Sequence, residues 1–143
     1  MNSGKSTAGR MLDVRIILSV LWIARLLSGL QGDTYRLSDP VALQSILANN
    51  GAVLVTNELL LVMSIIFVVP TFMSFLTLIL KYPAVRWVNL AIGLFLAVFD
   101  LVFLVLALLQ WRSTGYEIVW SIAYLVFTTL IVWYAWRWPK QEA

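Results

Sequence analysis

The chain has 143 residues, 62% of them hydrophobic and 12% charged, and its mean hydropathy is +0.91. A soluble domain is nearer half apolar and a quarter charged, so the polar surface needed to face water is missing. The chain carries a net charge of +3 and contains neither histidine nor cysteine. That inventory excludes disulfides, thiol redox chemistry, the usual zinc, haem and iron–sulfur ligand sets and any serine triad with an imidazole base. No cofactor and no enzymatic activity are expected.

Residues 1–13 read as a cytoplasmic tail, of which Met1–Arg10 is polar, rich in small side chains and expected to be disordered. Gly4-Lys5-Ser6-Thr7 has the look of the end of a phosphate-binding loop, but the earlier glycine and preceding strand of that motif are absent. Four apolar runs follow: Val14–Leu30, Ala52–Leu80, Trp87–Leu109 and Ile118–Trp138. A bilayer core of about 30 Å needs roughly 20 apolar residues rising ~1.5 Å each, and backbone groups in lipid must be satisfied within the segment. The expected fold is therefore all-α, an integral membrane four-helix bundle. Its helices are predicted at about 14–30, 52–80, 87–109 and 117–138, with 139–143 a cytoplasmic tail. The first run is short and contains Arg25; without a small-x-small cleavage site after it, it reads as a retained helix.

Between the first two runs, Ser38-Asp39-Pro40 reads as a helix N-cap followed by a first-turn proline, and Gly51 after Asn49-Asn50 as a stop. With Val41, Leu43, Ile46 and Leu47 on one face, a short interfacial helix is predicted in this first outer loop. It would be either a packed cover or a functional lid. Pro70 should kink the second long helix and free a carbonyl near Ile66.

Lys5, Arg10, Arg15, Lys81, Arg86, Arg137 and Lys140 fall on one side of the predicted helices, Arg36 and Arg112 on the other. Seven against two, or three with Arg25 just inside the membrane, favours both termini and the middle loop in the cytoplasm of a multi-pass cell-membrane protein. Tyr82 and Trp87 on one side, Trp111 and Tyr116 on the other, and the run Trp133, Tyr134, Trp136, Trp138 mark the interfaces. The positive charge is accounted for by this asymmetry and by anionic lipid, so nucleic acid is not an expected partner.

Polar residues recur at helical spacing. Glu117, Ser121, Tyr124 and Thr128 share a face of the fourth helix, and Asn89, Gly93, Ala97 and Asp100 a face of the third. The second offers Asn57, Ser64 and Thr71 at sevenfold spacing, the seam of a left-handed pair. The first offers Arg15, Ser19, Trp22 and Gly29, with Arg25 at its margin. Asp100 is the strongest candidate, because an ionised carboxylate near the bilayer centre costs at least ~2.5–3.5 kcal/mol and must be paired, hydrated or protonated. It is either a proton- or cation-binding group, an anchor for a ligand headgroup, or the partner of Arg25 or Tyr124. Arg25 could clamp an anionic headgroup, neutralise Asp100 or snorkel outward. Glu58 and Glu117 lie nearer the interface. The candidate binding set is Asp100, Arg25, Glu58, Glu117, Tyr124, Ser121 and Asn89, with no catalytic or metal site.

Three stretches carry a family resemblance: Asp13-Val-Arg-Ile-Ile-Leu-Ser-Val-Leu-Trp22, Val69-Pro70-Thr-Phe-Met-Ser-Phe-Leu-Thr-Leu78 and Leu130-Ile-Val-Trp-Tyr-Ala-Trp-Arg-Trp-Pro139. From Asp13 to Pro139 the chain resembles a family of small prokaryotic four-helix membrane proteins catalogued as a domain of unknown function. The resemblance implies topology and membrane location and supplies no activity. More distant look-alikes are quinone and redox membrane subunits, whose cysteine pair this chain lacks. The expected function is a polytopic membrane protein with an outward-facing polar pocket of Arg25, Asp100, Glu58 and Glu117 that takes a lipid, proton or small solute. The alternatives are a proton- or cation-coupled transporter acting as a dimer, or an accessory subunit of a membrane complex. Membrane lipids and either a homo-oligomer or a membrane partner are the expected associations.

Overall fold

The computed structural model describes residues 3–48, 56–109 and 115–138, with side chains from residue 13 onward. Among these residues the chain is all-α: α1 (Ser3–Ser38), α2 (Pro40–Leu47), α3 (Asn57–Ile79), α4 (Ala84–Leu109) and α5 (Gly115–Trp136). By length and composition α3, α4 and α5 can each cross a membrane.

α1 is longer at both ends than the run 14–30 that marks it in sequence. Its helix begins at Ser3, where a disordered tail is expected from composition. No proline interrupts Ser3–Ser38, and adding residues to a formed helix costs far less than nucleating one. At the other end the hydroxyls of Thr34 and Ser38 bond back to the carbonyls of Leu30 and Thr34 at 2.7 and 2.8 Å, so polar residues continue the helix where a loop was expected. Pro40 then stops it. A residue before proline is driven from helical geometry, and Asp39 is extended at φ −83°, ψ 114°.

Asp39 starts α2 as the sequence pattern predicts. Its Oδ1 accepts from the amides of Val41 at 2.9 Å and Ala42 at 3.4 Å, and its Oδ2 from the Tyr116 hydroxyl at 3.0 Å, joining the short helix to α5. Ala42, Leu43, Ser45 and Ile46 of α2 are half-buried, while Val41 and Leu47 remain exposed. The predicted stop at Gly51 and the first residues of the second apolar run lie outside the described residues.

The long helices meet in a ring. α1 packs on α3 and α5, α4 packs on α5, and α3 touches α4 only lightly, so α1 and α4 face each other across the interior. Leu18, Trp22, Arg25, Gly29 and Gly32 of α1 are buried, a 4-3-4-3 spacing that keeps one stripe facing inward. Arg25 therefore sits in the centre of the packed face rather than at its margin. α4 buries Val85, Asn89, Leu90, Gly93, Leu96 and Asp100, and α5 buries Ser121, Thr128, Ile131 and Ala135. Gly93 lets α4 approach α5: a methyl there would lie 3.1 Å from Val132 Cγ2 and 3.3 Å from Ile131 Cγ2.

The seam expected on α3 is not the one that packs. Asn57, Ser64 and Thr71 are all exposed, and α3 buries Pro70, Met73 and Thr77 instead. A straight helix drifts ~20° per heptad, and a serine can face an apolar environment if its hydroxyl bonds its own helix. Ser64 does so, to the Leu60 carbonyl at 2.8 Å.

At the end where α3 and α5 finish, Arg15 donates to the Leu78 carbonyl at 3.1 Å and Arg86 to the Trp136 carbonyl at 3.1 Å. Both cations sit where the helix dipoles are negative. Trp138 is buried beside Tyr82, with ring centroids 6.4 Å apart.

Substituting Gly93 by Val is expected to overpack the α4–α5 contact and cost about 1–3 kcal/mol, read as a lowered midpoint in equilibrium unfolding in detergent. The α2 cap is expected to depend on pH. Asp39 is held below the ordinary aspartate value of 3.8, chiefly by the Val41 amide and then by the Tyr116 hydroxyl. Its contribution is therefore complete above that value and lost as pH falls through the lower folded-state one. Hydrogen-exchange protection factors over Leu43–Leu47 should be constant at pH values above 3.8 and collapse only below it, whereas Asp39→Ala should be low and flat throughout.

Candidate functional site

Two polar layers cross the interior of this apolar protein. The first joins α1, α4 and α5. Arg25 Nη2 donates to Asp100 Oδ1 at 2.6 Å, and Arg25 Nε donates to Thr128 Oγ1 at 3.0 Å with a longer approach of 3.4 Å to Asp100 Oδ2. The Thr128 hydroxyl lies 2.5 Å from Asp100 Oδ2 and 2.8 Å from its own helix's Tyr124 carbonyl. Its single proton goes to the carboxylate, the stronger acceptor, while its lone pair takes the guanidinium N–H. Both charged side chains are about 5% exposed or less. Asp100 lies nine residues before the end of α4, about 14 Å along the axis. At that depth each charge is tenable because the other neutralises it and the remaining bonds are filled.

Aromatic rings close this cluster on the side of α2. Arg25 stacks on the Tyr124 ring at 4.9 Å from its centroid. Gly29 abuts the Tyr124 hydroxyl, where any side chain would overlap it, and a methyl on Gly32 would lie 2.7 Å from the Trp120 ring. Trp120 in turn packs against Tyr35 at 6.3 Å and Tyr116 at 5.4 Å. The two glycines of α1 thus make room for the two large rings of α5.

The second layer joins α1, α3 and α4. Trp22 Nε1 donates to Asn89 Oδ1 at 2.7 Å, and Asn89 Nδ2 donates to the Val85 carbonyl at 2.8 Å. The Thr77 hydroxyl reaches the Met73 carbonyl at 2.6 Å and Asn89 Oδ1 at 3.1 Å. Beside it Ser19 donates to the Ser74 carbonyl at 2.8 Å.

The residues singled out from sequence separate in the structure. Arg25 and Asp100 meet, with Tyr124 covering Arg25. Tyr124 engages the pair through its ring face rather than as a hydroxyl partner of Asp100. Ser121 is fully buried on the same face of α5 and bonds the Glu117 carbonyl at 2.7 Å. Asn89 belongs to the second layer. Glu58 is exposed in the first turn of α3 beside its N-cap Thr56, and Glu117 is half-buried in the first turn of α5. Neither carboxylate joins the Arg25–Asp100 pair among the described contacts. Thr128 and Thr77 are members of the polar layers that the candidate set left out. Thr128 was already traced on the Glu117–Ser121–Tyr124 face; Thr77 was signalled only by its place in the 3-4 spacing Pro70, Met73, Thr77. Among the described residues no three metal-ligating side chains come together. A groove of about 420 Å³ lies elsewhere, between α3 and α4, and is almost wholly apolar.

Residues 11–143 match the family of unknown function DUF6326, and the chain belongs to that family. Neither a curated protein nor a solved structure matches it. Its three long apolar helices are compatible in length and composition with membrane spans.

Removing one member of the Arg25–Asp100 pair strands the other. Arg25→Ala and Asp100→Ala should each cost about 3–5 kcal/mol, while the double variant Arg25→Met with Asp100→Leu should recover most of that loss. Equilibrium unfolding in mixed micelles around this double-mutant cycle checks it. Trp22→Phe, which removes one neutral donor from Asn89, should cost only about 1 kcal/mol in the same assay.

Proposed function

We propose that this member of the family is a non-enzymatic, four-helix integral membrane protein that takes up a proton and a small anion together at the Arg25–Asp100–Thr128 cluster. α1 is its fourth span, with both termini and the α3–α4 connection in the cytoplasm. The clustering of Arg15, Lys81, Arg86 and Arg137 at the end opposite α2 supports that orientation.

The observation that carries the reading is the enclosed guanidinium–carboxylate pair with Thr128 between its members. Arginine keeps its proton in any protein environment, so Arg25 always requires a counter-charge when it is shut away from water. Asp100 supplies it in the closed form. When Asp100 takes up a proton, the cluster is left with one uncompensated positive charge in an apolar surround. The least costly replacement is a small anion on the planar N–H edge that Asp100 has vacated. Proton and anion are then thermodynamically coupled, and each raises the affinity for the other. The rings of Tyr124 and Trp120, seated on Gly29 and Gly32, form the cover that entry must displace.

The test measures proton uptake by unbuffered, detergent-solubilised protein titrated with a panel of small anions: chloride, nitrate, formate and inorganic phosphate. At least one anion should bind with uptake of about one proton per chain. Asp100→Asn, which presents Arg25 without its counter-charge, should bind the same anion at least about tenfold more tightly and with no proton uptake. Arg25→Gln should bind none. Should no anion in the panel bind either the parent protein or Asp100→Asn, the pair is a packing element and the proposal fails.

A further inference from the structure

We infer that the open side of the helix ring, between α3 and α4, is the binding site of one anionic phospholipid of the cytoplasmic leaflet. The inference rests on the membrane orientation proposed above and is independent of the chemistry at Arg25.

α3 is anchored almost entirely by α1, and its light contact with α4 leaves a cleft of about 420 Å³. Ile65, Val68, Phe72 and Leu76 of α3 and Ile92 of α4 line it, with next to no polar surface. The lining runs from Ser64 to Leu76, twelve residues or about 18 Å of helix. That is close to the ~15 Å hydrocarbon depth of one leaflet. The cleft is thus long enough for an extended acyl chain of one leaflet, and its apolar lining suits hydrocarbon.

Charge identifies the headgroup. The lower end of the cleft, at Leu76, is adjacent to Leu78, whose carbonyl takes the Arg15 guanidinium. Lys81 follows directly in the α3–α4 connection. Arg86, about a turn and a half below Ile92 on α4, faces α5 instead, where its Nη2 donates to the Trp136 carbonyl. Among the described residues Asp13 is the one carboxylate at this end of the molecule. A phosphate at this end is drawn by Arg15 and Lys81, while one of the lipid's chains fills the cleft above.

Native mass spectrometry of protein released from mixed micelles of phosphatidylglycerol and phosphatidylcholine tests the assignment, with inorganic phosphate added as a competitor in a parallel arm. The expected result is one retained phosphatidylglycerol per chain, favoured at least about tenfold over phosphatidylcholine and not displaced by millimolar phosphate. Lys81→Gln combined with Arg15→Gln should abolish that preference while leaving some lipid bound. Ile92→Trp, which fills the cleft, should abolish retention of both lipids. Equal retention of the two lipids, or retention untouched by Ile92→Trp, overturns the site, as does displacement by phosphate alone, which would make it a simple anion site. A dimer lost in Ile92→Trp overturns it in favour of self-association. Carbonate extraction of the same preparation separates the premises: protein washed off the membrane refutes the spanning orientation, whereas inserted protein without headgroup selectivity refutes only the lipid site.

Discussion

A guanidinium enclosed among leucines and aromatic rings has to be neutralised in place, and Arg25 imposes that requirement on every helix around it. Its partner must be acidic, must lie at the same depth and must approach from across the interior. Asp100 on α4 meets all three conditions, and Thr128 on α5 fills the angle between them. α1 and α4 do not pack directly against each other, so this contact is made by side chains reaching over the centre of the ring. The pair therefore determines which helices are opposite and which are neighbours. It also explains why α5, which supplies Thr128 and Tyr124, is packed tightly against both α1 and α4.

The layer at Asn89 applies the same constraint without charge. A carboxamide has both donors and acceptors to satisfy, and here the Val85 carbonyl, the Trp22 indole and Thr77 take them. Two layers on different sets of helices, one ionic and one neutral, set both the rotation and the axial register of α1 relative to α4. Apolar packing in a lipid environment gives little preference between registers, because lipid tails solvate leucine as well as another helix does. Polar layers supply the specificity that hydrophobic burial supplies in water.

How much of this was legible in the sequence depended on how rare each residue type is in its run. Asp100 and Arg25 stood out because charges in apolar helices are few, and the faces of α4 and α5 could be traced from Asn89 to Asp100 and from Ser121 to Thr128. The short helix after Pro40 was readable because Asp39 has a local job, capping the next amides, which needs no tertiary information. α3 was misread for the converse reason. Its serines and threonines can satisfy themselves on their own backbone, so Ser64 and Thr71 carry no information about which way the helix faces. Glu58 and Glu117 are acidic residues in first turns, where the helix dipole alone accounts for them, and their grouping with Asp100 followed from depth rather than from any pairing rule. Whether Arg25 met Asp100 could not be read at all, since periodicity gives each helix a face and does not say which faces meet.

The cleft follows from the same distribution of polar contacts. α3 sends its described interhelical hydrogen bonds from the half nearer its C-terminus, through Ser74, Thr77 and Leu78, and its outer half carries none to α4. Pro70 sits at the join between these halves. It is buried, it donates no hydrogen bond, and it leaves the Ile66 carbonyl without its usual partner. A helix pinned below a proline and unpinned above it is free to stand away from its neighbour, and the space this leaves is lined by what α3 has there: Ile65, Val68 and Phe72. An empty apolar cleft has no stable existence in a bilayer, because hydrocarbon enters it at no cost in lost hydrogen bonds. The polar layers, one joining α1, α4 and α5 and the other reaching α3 only below Pro70, thus leave the upper α3–α4 side open by omission.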